Sequence, residues 1–197
     1  MEALAFLDRV YKKIPRTTSG FVFEHWPYGG RPTDEGVGLL AVPGVDPEKL
    51  IRRVMDVDRY VGNVEHVVEC RAVKDARFEA PKAVRFFQKV NVPMLAEIQH
   101  ELVLVDHGEL NGFRVAYWYL LETETMALSN KVAARSAYNL GAWMAAPGLV
   151  GYALASAPVR DDVGFLKWKA LTAGADVAAS KVVRANIEGM ARWAAKP

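Results

Sequence analysis

From Tyr138 to Val159 the chain reads YNLGAWMAAPGLVGYALASAPV, without one charged residue. Few folds accommodate such a stretch. Its length suits a bilayer-spanning helix, which needs ~20 mostly apolar residues. Its content does not: Pro147-Gly148 lies near the middle, Gly141 and Gly151 flank it, and alanine is its commonest residue. Pro-Gly is a strong turn signal, so the run divides into two uncharged arms of strand length. Lack of charge then means that both faces of the pair are shielded, or that one is shielded and the other merely small.

The rest of the chain supports the strand reading. "VEHVVECRAV" alternates, with Val64, His66, Val68 and Cys70 opposite Glu65, Glu69 and Arg71. "AVRFFQKVNV" and "EIQHELVLVD" do the same, the latter setting Ile98, His100, Leu102 and Leu104 against Glu97, Gln99 and Glu101. Period two with one charged face predicts antiparallel strands covered on one side. "SGFVFEHW", "VGLLAVPGV", "FRVAYWYLLE" and "KVAARSAYNLGAWMAA" read as further strands, and "PYGGRPTDEG" as a loop. "DPEKLIRRVMDVDRYV" is a helix: Asp46 caps, Pro47 suits the first position, and Gly62-Asn63 ends it. "MEALAFLDRVYKK" is a short amphipathic helix with Leu4, Leu7, Val10 and Tyr11 on one face. From Phe165 to Ala194 no proline occurs. Phe165, Trp168, Val183, Ile187, Met190 and Ala194 form one stripe of a long helix, interrupted near Gly174, with Asp176 and Asn186 close to that side.

At 197 residues the chain is expected to be one domain, residues 1–197. Its net charge of +2 advertises neither nucleic acid nor anionic lipid. Cys70 is the one cysteine, which excludes an internal disulfide and a cysteine-based metal cluster. The first helix has acids early and bases late, the reverse of a secretory leader, so a cytoplasmic location is the default expectation. An antiparallel sheet followed by one long helix packs by curling around it. The expected fold class is therefore α+β, with a curved antiparallel sheet, an N-terminal helix, a gripped C-terminal helix and an internal hydrophobic cavity between them.

Several of these segments resemble the START-like, Bet v 1-related superfamily with its helix-grip fold. "VDPEKLIRRVMDVDRYVGNVEHVVECRAV" is similar to its helix, aspartate-containing turn and first long strand. "FFQKVNVPMLAEIQHELVLVD" is similar to the strand, proline and strand that follow, and "YNLGAWMAAP" to a late strand. "ADVAASKVVRANIEGMARWA" matches the terminal helix in position and character. The resemblance covers most of the chain and is closest in length and layout to START domains. It implies a hydrophobic small-molecule partner (lipid, sterol or polyketide) bound under the terminal helix, with transient membrane contact as a further expectation. It implies no cofactor.

Candidate pocket residues follow from the strand faces. His66 and His100 fall on apolar faces with Ile98, and each reads as either a hydrogen-bonded core histidine or a polar ligand anchor. Tyr117 and Tyr119 share a face of their strand, and a tyrosine pairs an apolar ring with a hydroxyl that can bond a ligand. Tyr138, Leu140 and Met144 are expected to face the cavity, with Tyr152 across the hairpin. Trp168, Val183 and Ile187 would close it from the terminal helix. Arg135 reads as exposed. Loop 27–36 and region 158–164 are candidate gates.

No P-loop, dinucleotide-binding glycine pattern, HExxH or GxSxG occurs, and no catalytic or metal-ligating residue is assigned. Binding, storage or carriage of a hydrophobic ligand is the leading expectation. A polyketide aromatase/cyclase acting in the same cavity is the alternative, and an interaction module using the apolar region is a third. Ligand identity and oligomeric state are open at this level.

Overall fold

The structure, a computed structural model, describes residues 2–92, 96–121, 133–173 and 175–196, without the side chains of 171, 173 and 175–178. The Asp176 side chain and the start of the segment read as a strand over 131–146 therefore lie outside what is described. Helix α1 (Glu2–Lys13) is followed by β1 (Phe21–Trp26) and β2 (Glu35–Ala41). Helix α2 (Pro47–Met55) then leads through a 3-10 turn at Val57–Arg59 to β3 (Val67–Ala72). Strands β4 (Ala83–Val92), β5 (Ala96–Leu110), β6 (Phe113–Leu120), β7 (Ala134–Ala146) and β8 (Leu149–Pro158) complete one sheet. Helices α3 (Arg160–Val163), α4 (Phe165–Ala173) and α5 (Ala175–Ala195) follow.

The order across the sheet is β1-β2-β8-β7-β6-β5-β4-β3. Strands β3 to β8 form a continuous antiparallel meander, and β2 joins its end by pairing with β8. A short parallel pairing, Ile98 with Ala134 and Gln99 with Arg135, lets β7 meet β5 where β6 has ended. The uncharged run is the β7–β8 hairpin, turning at Pro147-Gly148 with Gly148 at φ 77. Among the described residues no helix is long and apolar enough to cross a membrane. The architecture is the curved α+β, helix-grip arrangement expected.

Two apolar layers flank the sheet, so the uncharged β7–β8 pair is shielded on both faces, one of the two readings its composition left open. On the inner face, Val183, Ile187, Met190 and Trp193 of α5 pack with Leu50, Ile51 and Val54 of α2. Each such buried side chain contributes about 1.5–3 kcal/mol. On the outer face Ala3, Phe6, Leu7 and Val10 of α1 cover Leu39, Val115, Leu140 and Met144. Leu4, placed on that stripe by its spacing, is 40% exposed. Gln99 and Glu101, expected to face solvent, are buried: Gln99 donates to the Ala133 carbonyl, and Arg85 donates to Glu101.

Local chemistry sets the boundaries. Asp46 Oδ1 accepts from the Glu48 and Lys49 amides, capping α2 as its sequence requires. That helix ends at Met55, earlier than Gly62-Asn63, and the chain tightens into the 3-10 turn, with the Tyr60 hydroxyl donating to the Val54 carbonyl. In β3 a register shift between Val67 and Glu69 turns Val67 inward and leaves Val68 43% exposed. Cys70 is buried on that inner side. One extra residue in a strand reverses the facing of what precedes it.

Candidate functional site

Between the inner face of the sheet and α5 lies a pocket of about 340 Å³. It runs from Phe86, Leu104, Trp118, Trp143 and Tyr152 at its deep end to Val92, Ile98, Ser136 and Pro158 at the other. Those limits span about six residues of β5 and β8, roughly 20 Å at strand rise. Ala179, Val182, Val183 and Asn186 of α5 form its roof, and Ala170 of α4 borders it. One turn beyond Asn186, Met190 is fully buried in the core, while a second pocket, lined by Val64, Glu65, His66, Gly189 and Arg192, adjoins the first on the outer side of α5. Thr33, Asp34 and Gly36 from the 27–36 region and Ala157-Pro158 at the edge of 158–164 also border it. Both segments read as gates reach its wall.

Glycine decides the pocket's floor. Gly141 pairs directly with Trp118, and a Cβ on Gly141 would sit 1.9 Å from Trp118 Cζ2. The indole can lie across β7 only because that position has no side chain. Its ring then meets Tyr152 at 5.4 Å, and Tyr152 meets Trp143 edge-on at 4.5 Å.

One polar chain crosses these apolar walls, and its donors fix its proton positions. Trp118 Nε1, a donor only, gives its hydrogen to Asn139 Oδ1 at 2.8 Å. The Asn139 amide nitrogen therefore faces His100, donating to Nδ1 at 3.4 Å, with Ser136 Oγ 3.1 Å from the same nitrogen. His100 Nδ1 is thus an acceptor, and Nε2 donates to Gln88 Oε1 at 2.9 Å. The imidazole is neutral, with both nitrogens engaged. Burial pushes its pKa down from 6.5 to about 4.

That depression makes stability pH-dependent. The unfolded chain takes up a proton near pH 6.5 that folded His100 refuses until about 4, so stability is full above the unfolded value and falls as pH drops between the two. The loss is on the order of 3 kcal/mol. Urea unfolding between pH 7 and 4 should show a flatter pH profile for His100→Gln than for the parent chain. Equal slopes would mean that another group controls this range.

The residues nominated by sequence divide by face. His66, Ile98, His100, Tyr152 and Val183 line the pocket. His66 reaches it from the turn before β3, at φ 62, and not from a strand. Tyr117, Tyr119, Tyr138 and Met144 do not line it: they pack on the outer face beneath α1. Tyr138 hydrogen-bonds Thr33 there at 2.5 Å, and Arg31 lies over its ring at 4.7 Å. A register shift between Ser136 and Tyr138 leaves Ser136 facing inward and Tyr138 outward. Ile187 is fully buried but lies in the core beyond the pocket wall. Trp168 is half-buried beside Arg160, whose guanidinium is 5.5 Å from the ring. Arg135 is 45% exposed and paired with Asp162. Trp118 and Asn139 are pocket residues that alternation did not nominate; Trp143, which the sequence left open between pocket wall and packing, and Asn186, near the inner side of the terminal helix, also line it. With apolar residues on both faces of β6 and β7, alternation carries no phase; the pairing of a large Trp118 with a missing side chain at 141 does.

Among the described residues no cluster of three or more metal-ligating side chains is present. No family model matches the sequence, and no curated protein is significantly similar to it. Solved structures are. A STAR-related lipid transfer protein fragment from Xanthomonas axonopodis superposes with a TM-score of 0.72 at 12% identity, over 92% of this chain and 97% of that one. Human StAR-related lipid transfer protein 5 gives 0.66 at 12% identity, over 98% and 95%. Human STARD10 gives 0.67 at 11%, over 91% of this chain and 72% of that one. The chain has the START-like, helix-grip fold.

Proposed function

We propose that this chain binds a hydrophobic small molecule in the pocket beneath α5 and carries or stores it. The supporting observation is the wall: aromatic and aliphatic side chains enclose the pocket, and the polar chain through His100 is neutral and satisfied internally. Apolar burial, about 25 cal/mol per Å², would drive binding. The lipid-transfer descriptions of the superposed proteins point the same way. Both His100 nitrogens are engaged by partners within the chain, which supports the binding reading over the aromatase/cyclase alternative.

The exposed end of α4 suits contact with a membrane during loading. Leu166 is 80% and Phe165 54% exposed, and Ala170 on the same helix borders the pocket. The test is transfer of a fluorescent lipid between vesicles. The parent chain should accept the lipid and speed its transfer. Leu166→Glu should slow transfer roughly tenfold and leave binding in solution unchanged. Failure of the parent chain to bind any lipid would overturn the proposal; unchanged transfer by the variant would remove α4 from it.

A further inference from the structure

The second pocket, on the outer side of α5, is a crevice of about 380 Å³. Its lining is mainly polar, unlike that of the pocket beneath the helix. One wall is the end of α5, through Gly189, Arg192, Trp193 and Lys196, and the other is the loop over residues 62–67. Gly189 lets the two walls meet: a Cβ there would stand 3.3 Å from the Asn63 carbonyl oxygen, so the loop seats against bare helix backbone. Arg192 lies back along the helix, as helical side chains do, and brings Nη2 to 3.8 Å from that same point. Lys196, one turn on, is the second cation of this wall.

Neither Arg192 nor Lys196 has an ion-pair partner among the described residues. The acid one turn before Arg192 is Glu188, and Arg184 holds it at 2.8 Å. Two like charges one turn apart repel each other, and an anion placed between them removes that repulsion. Glu65 is the one carboxylate among the described lining residues, and it is exposed. The carbonyls at a helix C-terminus disfavour anions. Here Arg53 of α2 reaches that end and donates to the Lys196 carbonyl at 3.3 Å. A cation in the crevice would meet Glu65 against two positive groups, and no cluster of three metal-ligating side chains is present among the described residues.

We propose that this crevice is a phosphate-binding site, in which the Arg192 guanidinium donates to phosphate oxygens and Lys196 supplies the second positive charge. It is distinct from the apolar pocket but shares a wall with it. Val64, Glu65 and His66 line both, and His66, at φ 62, has its carbonyl fixed by the Asn91 N–H of β4 at 2.8 Å. The phosphate is either a free anion or the headgroup of an amphiphile whose chain passes this partition, and the experiment separates the two sources.

The probe is inorganic phosphate, titrated at pH 8 and constant ionic strength with sodium chloride as the balance, while amide NMR signals are followed. Phosphate should shift the Gly189, Arg192 and His66 amides and saturate, with a dissociation constant on the order of millimolar for so exposed a site. Arg192→Gln should weaken it about fivefold, Lys196→Gln about threefold, and Glu65→Gln should strengthen it about twofold. Opposite signs from neighbouring surface residues mark electrostatic contact and not a damaged fold; if Arg192→Gln does not fold, the exposed Lys196 and Glu65 variants carry the same readout. Dodecyl phosphate binding at least ~10-fold tighter than inorganic phosphate, with added shifts at Ile98 and Leu104, would assign the group as a headgroup. Equal affinity of the two would assign it as a free anion. Identical shifts from sodium chloride alone, or no change in phosphate affinity in any of the three variants, would overturn the proposal. The inorganic phosphate titration does not involve the apolar pocket, so its failure leaves the hydrophobic-ligand proposal standing.

Discussion

Gly141→Ala is expected to destabilise the protein by about 3 kcal/mol or more and to abolish binding in the pocket, an unusually large effect for one added methyl group. The position is buried in the middle of β7, and the new Cβ would fall 1.9, 2.3 and 2.5 Å from three atoms of the Trp118 ring. The ring has little freedom to give way. Its Nε1 is held by Asn139, and Tyr152 packs against its face. Moving it would break the polar chain through His100 and push the indole into the pocket. Denaturant midpoints with and without Trp118→Leu make the test specific. The double variant should recover at least half of the alanine penalty, because the colliding ring is gone. A loss below about 1 kcal/mol for Gly141→Ala would show that β7 and β6 separate more easily than this packing allows.

Glu35→Ala is the second large effect, about 3–5 kcal/mol. The Glu35 side chain is fully buried at the start of β2, and four donors converge on its two oxygens. Arg9 of α1 binds both oxygens, at 2.8 and 2.7 Å; Trp26 Nε1 donates at 2.9 Å and Arg31 at 3.1 Å. Arg9 also stacks on Tyr28, 3.6 Å from the ring centroid, and Arg31 reaches Glu2. Removing the carboxylate leaves two poorly solvated guanidinium groups facing each other, and it releases α1 from the sheet. Glu35→Gln keeps the shape and should lose less, about 2 kcal/mol. Because Thr33, Asp34 and Gly36 border the pocket, Glu35→Ala should also weaken ligand binding. Urea midpoints within 1 kcal/mol of the parent for both variants would contradict this account.

What the sequence conveyed, and what it did not, follows from the range of the interactions involved. The β7–β8 hairpin, the Asp46 cap and the strand limits of β4 were legible because each depends on neighbours within a few positions. So was the inward face of β5, where Ile98, His100, Leu102 and Leu104 line the pocket as their spacing indicated. Tyr117, Tyr119, Tyr138 and Met144 were assigned to the wrong face because α1 covers the outer side of the same strands. Once both faces are apolar, period two says that residues alternate but not which set faces in. The Arg9–Glu35 pair joins positions 26 apart, and nothing local marks Glu35 as buried. Asn186 stood out by sequence as a polar residue near the inner side of the terminal helix, and it lines the pocket.

Native mass spectrometry of the purified protein, followed by organic extraction, tests the central claim most directly. A hydrophobic molecule bound one to one, or stoichiometric uptake of one when lipids are added, is the predicted result. The bare chain mass in every case, together with no response of the pocket tryptophans to any hydrophobic probe, would contradict it.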